Sequence, residues 1–196
     1  IIEIESIIKE CKNKSVTELL LLEAQAKKIY FNSFDIILEK EKYHFIKRTK
    51  NPPQNEINAL LSYGYSLLYA NYISVIVRSR LYSQISFVHS LTKCSESLQF
   101  DLADILKPVL IDRLVLSLCR HKSLKDEYFD YKKDRCYLNK KGVKFFVEKY
   151  ENYLLKTIKI NNKYYSYRNL ISREVHLLSN YIANESNDYK PYIMKW

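Results

Sequence analysis

Residues 57–77 read INALLSYGYSLLYANYISVIV and contain no Asp, Glu, Lys or Arg. A helix of this length, about 20 residues, could cross a membrane. Asn58, Ser62 and Ser66 nevertheless recur at intervals of four residues, which places a polar seam along one face of the helix. Such a seam on an otherwise apolar helix is more typical of a protein core than of a membrane span. The stretch therefore predicts the buried central helix of a helical domain.

The composition of the whole chain favours helices over strands. Among its 196 residues are only 2 glycines and 4 prolines, whereas apolar residues make up 47%. An all-β sandwich or barrel needs a turn every 8–12 residues or so, and glycine and proline are the usual turn residues. We therefore predict an all-α fold, a single helical lobe, with residues 1–14 as a lead-in, 15–184 as the helical core and 185–196 as an irregular tail.

Helical spacing of apolar residues and capping residues locate the individual elements. Ser15, with Glu18 three residues later, has the pattern of a capping box, which predicts the start of the first long helix. Pro108 is expected to kink the helix that contains it. The predicted helices are 15–39, 55–80, 97–120, 138–160 and 167–182, and residues 123–138 are predicted as a loop or a small hairpin.

The chain is basic, with a net charge of +10 at pH 7. An excess of this size favours a polyanionic partner, either nucleic acid or an anionic membrane surface, although it also suits a role in solubility alone. The four cysteines do not have the spacing of a zinc site. We expect reduced thiols in a cytoplasmic protein.

Asp101 and Asp104 are the strongest candidates for chemistry. Their spacing places both carboxylates on one face of a predicted helix, about 5–6 Å apart at Cβ. His89 lies just upstream, on the loop that enters that helix. Two carboxylates this close favour a bound cation, which could be a metal ion or the side chains of Lys107 and Arg113. The sequence leaves both possibilities open.

Glu23 is a second unusual acidic residue, because it follows the leucine run 19–22 and lies close to the apolar stripe of its helix. A salt bridge with Lys27, one helical turn later, is the simplest explanation. A functional role for the carboxylate is the alternative.

Several short motifs follow one another along nearly the whole chain from about Ser15. They are LEAQAKKIYF at 22–31, Arg48 with Pro53, NALLSYGY at 58–65, ISFVH at 85–89, FDLADILKP at 100–108, DRL at 112–114, YLN at 137–139 with Gly142, SYR at 166–168 with Glu174, and YKPY at 189–192. Their order resembles that of the CRISPR-associated spacer integrases, the Cas1 family. No single motif is specific, and the resemblance rests on their number and order.

The resemblance implies a metal-dependent DNA endonuclease and integrase that joins the 3′-hydroxyl ends of a spacer to repeat DNA by phosphoryl transfer. It further implies that Glu23, His89 and Asp104 bind one divalent ion, Mg²⁺ or Mn²⁺, with Asp101 as a supporting carboxylate of the catalytic group.

The resemblance also implies partners. The partners are double-stranded DNA and, for the full-length protein, a second copy of itself and the companion protein Cas2. A membrane is not expected as a partner. From the resemblance we expect this chain to lack the amino-terminal β-domain that precedes the helical lobe in the family. The candidate phosphate contacts are Arg48, Lys107, Arg113 and Arg168. A non-catalytic helical DNA-binding module is the alternative function.

Overall fold

The computed structural model describes residues 2–39, 41–89 and 96–194. Within these ranges the chain forms seven α-helices, one π-helical turn, one 3₁₀ turn and two β-hairpins. The helices are α1 (Ile2–Glu10), α2 (Val16–Leu38), α3 (Glu56–Ile76), α4 (Leu98–Lys107), α5 (Arg113–Arg120), α6 (Lys140–Leu154) and α7 (Tyr167–Ile182); the π-turn is Pro108–Asp112 and the 3₁₀ turn Asp126–Tyr128; the strands are β1 (Phe129–Lys132), β2 (Arg135–Leu138), β3 (Thr157–Ile160) and β4 (Lys163–Ser166).

Helix α3 is the centre of the fold, as the sequence predicts. It packs against α4, α5 and α7, and large residues along its length are fully buried. Asn55 caps its amino terminus by accepting a hydrogen bond from the Asn58 backbone N–H at 2.9 Å. Among the residues that the structure describes, no helix combines the length and apolar character needed to span a membrane. The interpretation of α3 as a core helix is therefore confirmed.

The start of α2 follows the predicted capping box. The Ser15 hydroxyl accepts a hydrogen bond from the Glu18 backbone N–H, and the Glu18 carboxylate accepts one from the Ser15 backbone N–H at 2.9 Å. Helix α7 has the predicted bounds. The predicted helix over 138–160 is too long, because α6 ends at Leu154 and β3 begins at Thr157.

The prediction of an all-α fold is wrong, because two antiparallel hairpins interrupt the helices. Strand β1 pairs with β2, with Phe129 opposite Leu138, and β3 pairs with β4, with Thr157 opposite Ser166. The fold is a mixed one, predominantly helical with two small sheets. The first hairpin lies in the segment for which the sequence allowed a small hairpin, whereas the second was not anticipated.

The scarcity of glycine was misleading because other residues make these turns. Asn161 and Asn162 connect β3 to β4 with φ values of 47° and 64°, as a type I′ turn requires. Lys133, at the corresponding turn of the first hairpin, has φ 47°. Asparagine tolerates the left-handed conformation better than other residues with a side chain, so a chain with few glycines can still form tight hairpins.

The predicted helix over 97–120 is divided by the π-turn that begins at Pro108. The proline has no backbone N–H, so the usual hydrogen bond to Asp104 cannot form. The Arg113 N–H instead donates to the Pro108 carbonyl, five residues back. A π-turn contains about one residue more than an α-helical turn, and this shifts the angular position of every residue that follows it. Asp112 therefore lies close to the face of the helix that carries Asp104.

Gly142 lies where α6 packs directly against the 3₁₀ turn. A Cβ atom there would lie 2.2 Å from the Tyr128 carbonyl oxygen, which is a backbone atom and cannot swing away. We expect Gly142→Ala to lower the free energy of unfolding by about 1–3 kcal/mol, as overpacking of a core does. Urea denaturation measures this difference, with Lys144→Ala, at an exposed position of α6, as the control. Equal unfolding midpoints for the two variants would show that the contact has no energetic weight.

Candidate active site

Glu23 and Asp104 come from different helices and bind the same ammonium group. Lys27 lies one turn after Glu23 on α2 and forms an ion pair with it. Lys27 Nζ also lies 3.0 Å from Asp104 Oδ2 on α4, and Lys107 pairs with the other oxygen of Asp104. The salt bridge between Glu23 and Lys27 that the sequence suggested is therefore present. The same contacts show that both carboxylates point towards one positive charge.

The Asp104 carboxylate is held in its ionised form. Burial by itself would raise its pKa, but the ammonium groups of Lys107 and Lys27 outweigh burial and lower the pKa to about 2. Asp104 is thus a charged oxygen donor throughout the physiological pH range, which is the state in which a carboxylate binds a hard cation.

Asp101 holds His89 and the backbone next to it. Its carboxylate accepts hydrogen bonds from the backbone N–H groups of Phe87, Val88 and His89 at 2.6, 3.1 and 3.1 Å. Its Oδ1 also lies 2.5 Å from Nδ1 of the His89 ring. A carboxylate that is hydrogen-bonded to one ring nitrogen fixes the orientation of an imidazole and leaves the other nitrogen available to bind a ligand.

The four predicted site residues therefore form two pairs, Glu23 with Asp104 and His89 with Asp101. Asp101 and Asp104 are three residues apart on α4, so the two pairs lie along one face of that helix. Over residues 2–39, 41–89 and 96–194, no three His, Cys, Asp or Glu side chains are grouped closely enough to hold a metal ion. The donor types, two carboxylates and one imidazole, nevertheless suit Mn²⁺ or Mg²⁺.

A basic pocket adjoins the Asp104 carboxylate. It has a volume of about 210 Å³ and lies between α2, α3, α4 and the loop over residues 47–53, which we call the basic loop. We refer to it as the basic pocket. Its lining residues are Lys27, Phe31, Arg48, Lys50, Ser62, Tyr65, Tyr69 and Lys107.

The polar seam of α3 holds Arg48 in the basic pocket. The guanidinium donates to Asn58 Oδ1 at 2.9 Å and to Ser62 Oγ at 3.0 Å. Asn58 is fully buried, and it also accepts from the Thr49 backbone N–H and donates to the Lys47 carbonyl. The polar groups that argue against a membrane span thus fix the basic loop onto the central helix.

Positive charge in the basic pocket exceeds what its acidic neighbours balance. Burial lowers the pKa of Lys50, and Lys27, Arg48 and Lys107 lower it further by repulsion. Burial also lowers the pKa of Arg48. Cations crowded in this way are stabilised by an added anion, and phosphate is an anion that both Arg and Lys bind.

The predicted phosphate contacts separate into two groups. Arg48 and Lys107 line the basic pocket, whereas Arg113 and Arg168 do not. Arg113 Nη1 lies 3.7 Å from the sulfur of Met194, and Arg168 forms an exposed ion pair with Glu151.

Lys50 and Asp112 were not identified from the sequence as site residues. Lys50 could have been found from its position two residues after Arg48 in the same basic loop. Asp112 is a single acid after the apolar residues 109–111, and it opens the DRL motif at 112–114, but neither feature assigned it a role in the site. The structure buries it to 1% exposure.

The Asp112 carboxylate is bound by two tyrosines. Tyr65 on α3 donates its hydroxyl to Oδ1 at 2.6 Å, and Tyr30 on α2 donates to Oδ2 at 3.0 Å. Burial raises the pKa of Asp112 to about 6 despite these hydrogen bonds and the nearby Lys107 and Arg48, which act in the opposite direction.

Comparison with solved structures defines the class of this fold. A Cas1 protein from Thermotoga maritima matches with a TM-score of 0.84 and 33% sequence identity, over 92% of this chain and 57% of that chain. A casposase bound to integration product matches in fold with a TM-score of 0.82 and 24% identity, over 92% of this chain and 55% of that chain. The Cas6-RT-Cas1–Cas2 complex contains the same fold, with a TM-score of 0.79 and 21% identity, over 97% of this chain and 21% of that chain.

The sequence gives the family directly. The family profile described as CRISPR associated protein Cas1 matches residues 1–152. A relative from Thermodesulfovibrio yellowstonii, described as CRISPR-associated endonuclease Cas1 2, is 34% identical over 99% of this chain and 58% of its own length. The chain belongs to the Cas1 family, as the motif order suggested, and it spans a little more than half the length of this relative.

The raised pKa of Asp112 predicts a specific pH dependence of stability. Because its pKa lies at about 6 in the folded state and at an ordinary 3.8 otherwise, the folded state retains a proton that the unfolded state has lost. The free energy of unfolding should therefore fall by roughly 2–3 kcal/mol between about pH 4 and pH 6 through this group. Urea denaturation of the wild type minus that of Asp112→Asn isolates the contribution, and Asp130→Asn, at an exposed strand residue, is the control. Parallel curves for wild type and Asp112→Asn would contradict the assignment.

Proposed function

We propose that this chain carries the metal-dependent nuclease and strand-transfer chemistry of the Cas1 family on DNA. One observation supports this most directly: Glu23 and Asp104, from two different helices, converge on a single positive charge at the edge of the basic pocket. Carboxylates beside a phosphate-binding surface are the arrangement that metal-assisted phosphoryl transfer requires. The relative from Thermodesulfovibrio yellowstonii is described as an endonuclease, and the casposase structure contains an integration product.

The family resemblance assigns Glu23, Asp104 and His89 as ligands of a divalent ion, Mg²⁺ or Mn²⁺. That ion would have to draw the three side chains together, because they are not grouped closely in the described part of the structure. When bound, the ion would stabilise the negative charge that develops on the phosphate and the leaving oxygen. Asp101 keeps the His89 ring oriented through Nδ1, so that Nε2 is the nitrogen that faces a ligand. Lys27 balances the charge of the two carboxylates in the absence of the ion.

DNA phosphates would bind in the basic pocket. Arg48 presents a guanidinium fixed by Asn58 and Ser62, so little side-chain freedom is lost on binding. Lys50 and Lys107 add two ammonium groups on the same wall. Binding through these groups releases counterions, and affinity for DNA should therefore fall steeply with salt. Arg113 and Arg168 lie outside the basic pocket and would contact only DNA that extends beyond the pocket.

The proposed partners follow from the family. These are double-stranded DNA of the spacer and the repeat, and, for the longer protein, a second copy and Cas2, which is present in one of the structures that share this fold. The alternative function, a DNA-binding module without catalysis, is supported by the lysine partners of Glu23 and Asp104, which could be purely structural.

Replacement of the proposed ligands should remove activity. We expect Asp104→Asn and His89→Ala each to lower Mn²⁺-dependent DNA cleavage at least about 100-fold, because the ion would lose a ligand. Calorimetric titration should show weaker Mn²⁺ binding in both. Asp130→Asn and His121→Ala, at exposed positions, are the controls. Salt-sensitive DNA binding by the wild type without any Mn²⁺ binding would favour the non-catalytic alternative.

Lys27 should compete with the metal ion, because it occupies the oxygens of Glu23 and Asp104. Removal of its charge in Lys27→Met leaves two carboxylates without their shared counterion, so the affinity for Mn²⁺ should rise several-fold or more. Lys28→Met removes the same charge at the adjacent exposed position and is the matched control. An Mn²⁺ affinity that is equal in the two variants would exclude a metal site between these carboxylates.

A further inference from the structure

Asp112 lies where three elements of the candidate active site meet. It is the last residue of the π-turn, and this turn directly follows α4, the helix that carries Asp104 and Lys107. The two tyrosines that bind its carboxylate belong to the other two elements, Tyr30 to α2 and Tyr65 to α3. One buried carboxylate thus links all three helices that line the basic pocket. A buried charge of this kind is costly and persists only where it has specific partners.

Tyr30 connects Asp112 to the helix of Glu23. Residues 23, 27 and 30 are separated by four and three positions, so they share one face of α2. The hydrogen bond from Tyr30 therefore fixes the rotation of α2 relative to the π-turn. The same rotation determines where the Glu23 carboxylate and the Lys27 ammonium lie relative to Asp104.

Tyr65 connects Asp112 to the cations of the basic pocket. The Arg48 guanidinium carbon lies 5.4 Å from the centre of the Tyr65 ring, and Lys107 Nζ lies 5.2 Å from it. Both distances are within the range of a cation–π contact. The ring is held from the opposite end by the hydrogen bond from its hydroxyl to Asp112 at 2.6 Å. The position of the ring, and with it the spacing of the two cations, thus depends on that carboxylate.

We propose that Asp112 is a positioning residue, which fixes Tyr30 and Tyr65 so that the carboxylate pair and the cations of the basic pocket keep their mutual geometry. The inference rests on the proposed function for its catalytic consequence, but its structural part can be measured without any activity. Asp112 does not line the basic pocket itself, and it acts only through the two tyrosines.

The structural part is tested by NMR of Lys107. Its ammonium lies over the rings of both Tyr65 and Tyr69, so its ε-methylene protons should show a ring-current shift. In Asp112→Asn and in Tyr65→Phe this shift should move towards that of the exposed Lys144, because the Tyr65 ring is released. Tyr153→Phe is the matched control: its hydroxyl donates to the Val109 carbonyl of the same π-turn at 3.2 Å, so it loses a buried hydrogen bond without touching Asp112.

The catalytic part is tested with the same variants. We expect Asp112→Asn and Tyr65→Phe to lower kcat for Mn²⁺-dependent DNA cleavage roughly tenfold or more, with a smaller change in KM. The reason is that displacement of the carboxylates and cations mainly slows the chemical step rather than weakening the binding of DNA. Tyr153→Phe should lower the melting temperature by an amount comparable to that of Tyr65→Phe, because it also loses one buried hydrogen bond. Its activity should nevertheless stay within a factor of about two of the wild type. Tyr30→Phe provides a further variant if Asp112→Asn does not fold.

The outcomes separate this inference from the proposed function. An unchanged Lys107 shift in Asp112→Asn and Tyr65→Phe would overturn the positioning role, and so would a loss of kcat no greater than that of Tyr153→Phe. A wild-type chain that neither binds Mn²⁺ nor cleaves DNA would refute the proposed function, and the Lys107 shift alone would then decide whether Asp112 positions the basic pocket.

Discussion

The sharing of the Lys27 ammonium between Glu23 and Asp104 is the interaction on which the site depends. It joins α2 to α4, which are far apart in sequence, and it brings together two carboxylates that would otherwise repel each other. Lys107 completes the charge balance on Asp104 and keeps that carboxylate ionised. Under the proposed function, a divalent ion would replace the Lys27 ammonium between these two carboxylates.

Helix α3 holds this arrangement in place through its contacts with the core, with the basic loop and with Asp112. Its apolar residues fill the core, and its polar seam binds the basic loop through Asn58 and Ser62. The loop in turn places Arg48 and Lys50 beside the lysines of α2 and α4. The same helix contributes Tyr65, whose ring lies under two of these cations and whose hydroxyl contacts Asp112. Helix α3 therefore contributes both to the packing of the core and to the placement of the cations that the loop, α2 and α4 supply to the basic pocket.

Local features of the fold were accessible from the sequence because they depend on neighbouring residues. The capping box at Ser15 and the central helix after Asn55 are examples. The hairpin over 157–166 was missed because its turn uses Asn161 and Asn162 in place of glycine. The π-turn was anticipated only as a kink at Pro108, since its geometry depends on how the two halves of the helix pack.

The sequence by itself determined the family, the central helix, the excess of positive charge and the identity of the acidic candidates, because each is a property of residue type and of short-range spacing. Only the tertiary structure decided which charges meet. It paired Glu23 with Asp104 through Lys27, placed Arg48 and Lys107 in the basic pocket and left Arg113 and Arg168 outside it, and buried Asp112 between two tyrosines. The physical reason is that such contacts join residues tens of positions apart, and their distances are set by helix packing rather than by local preference.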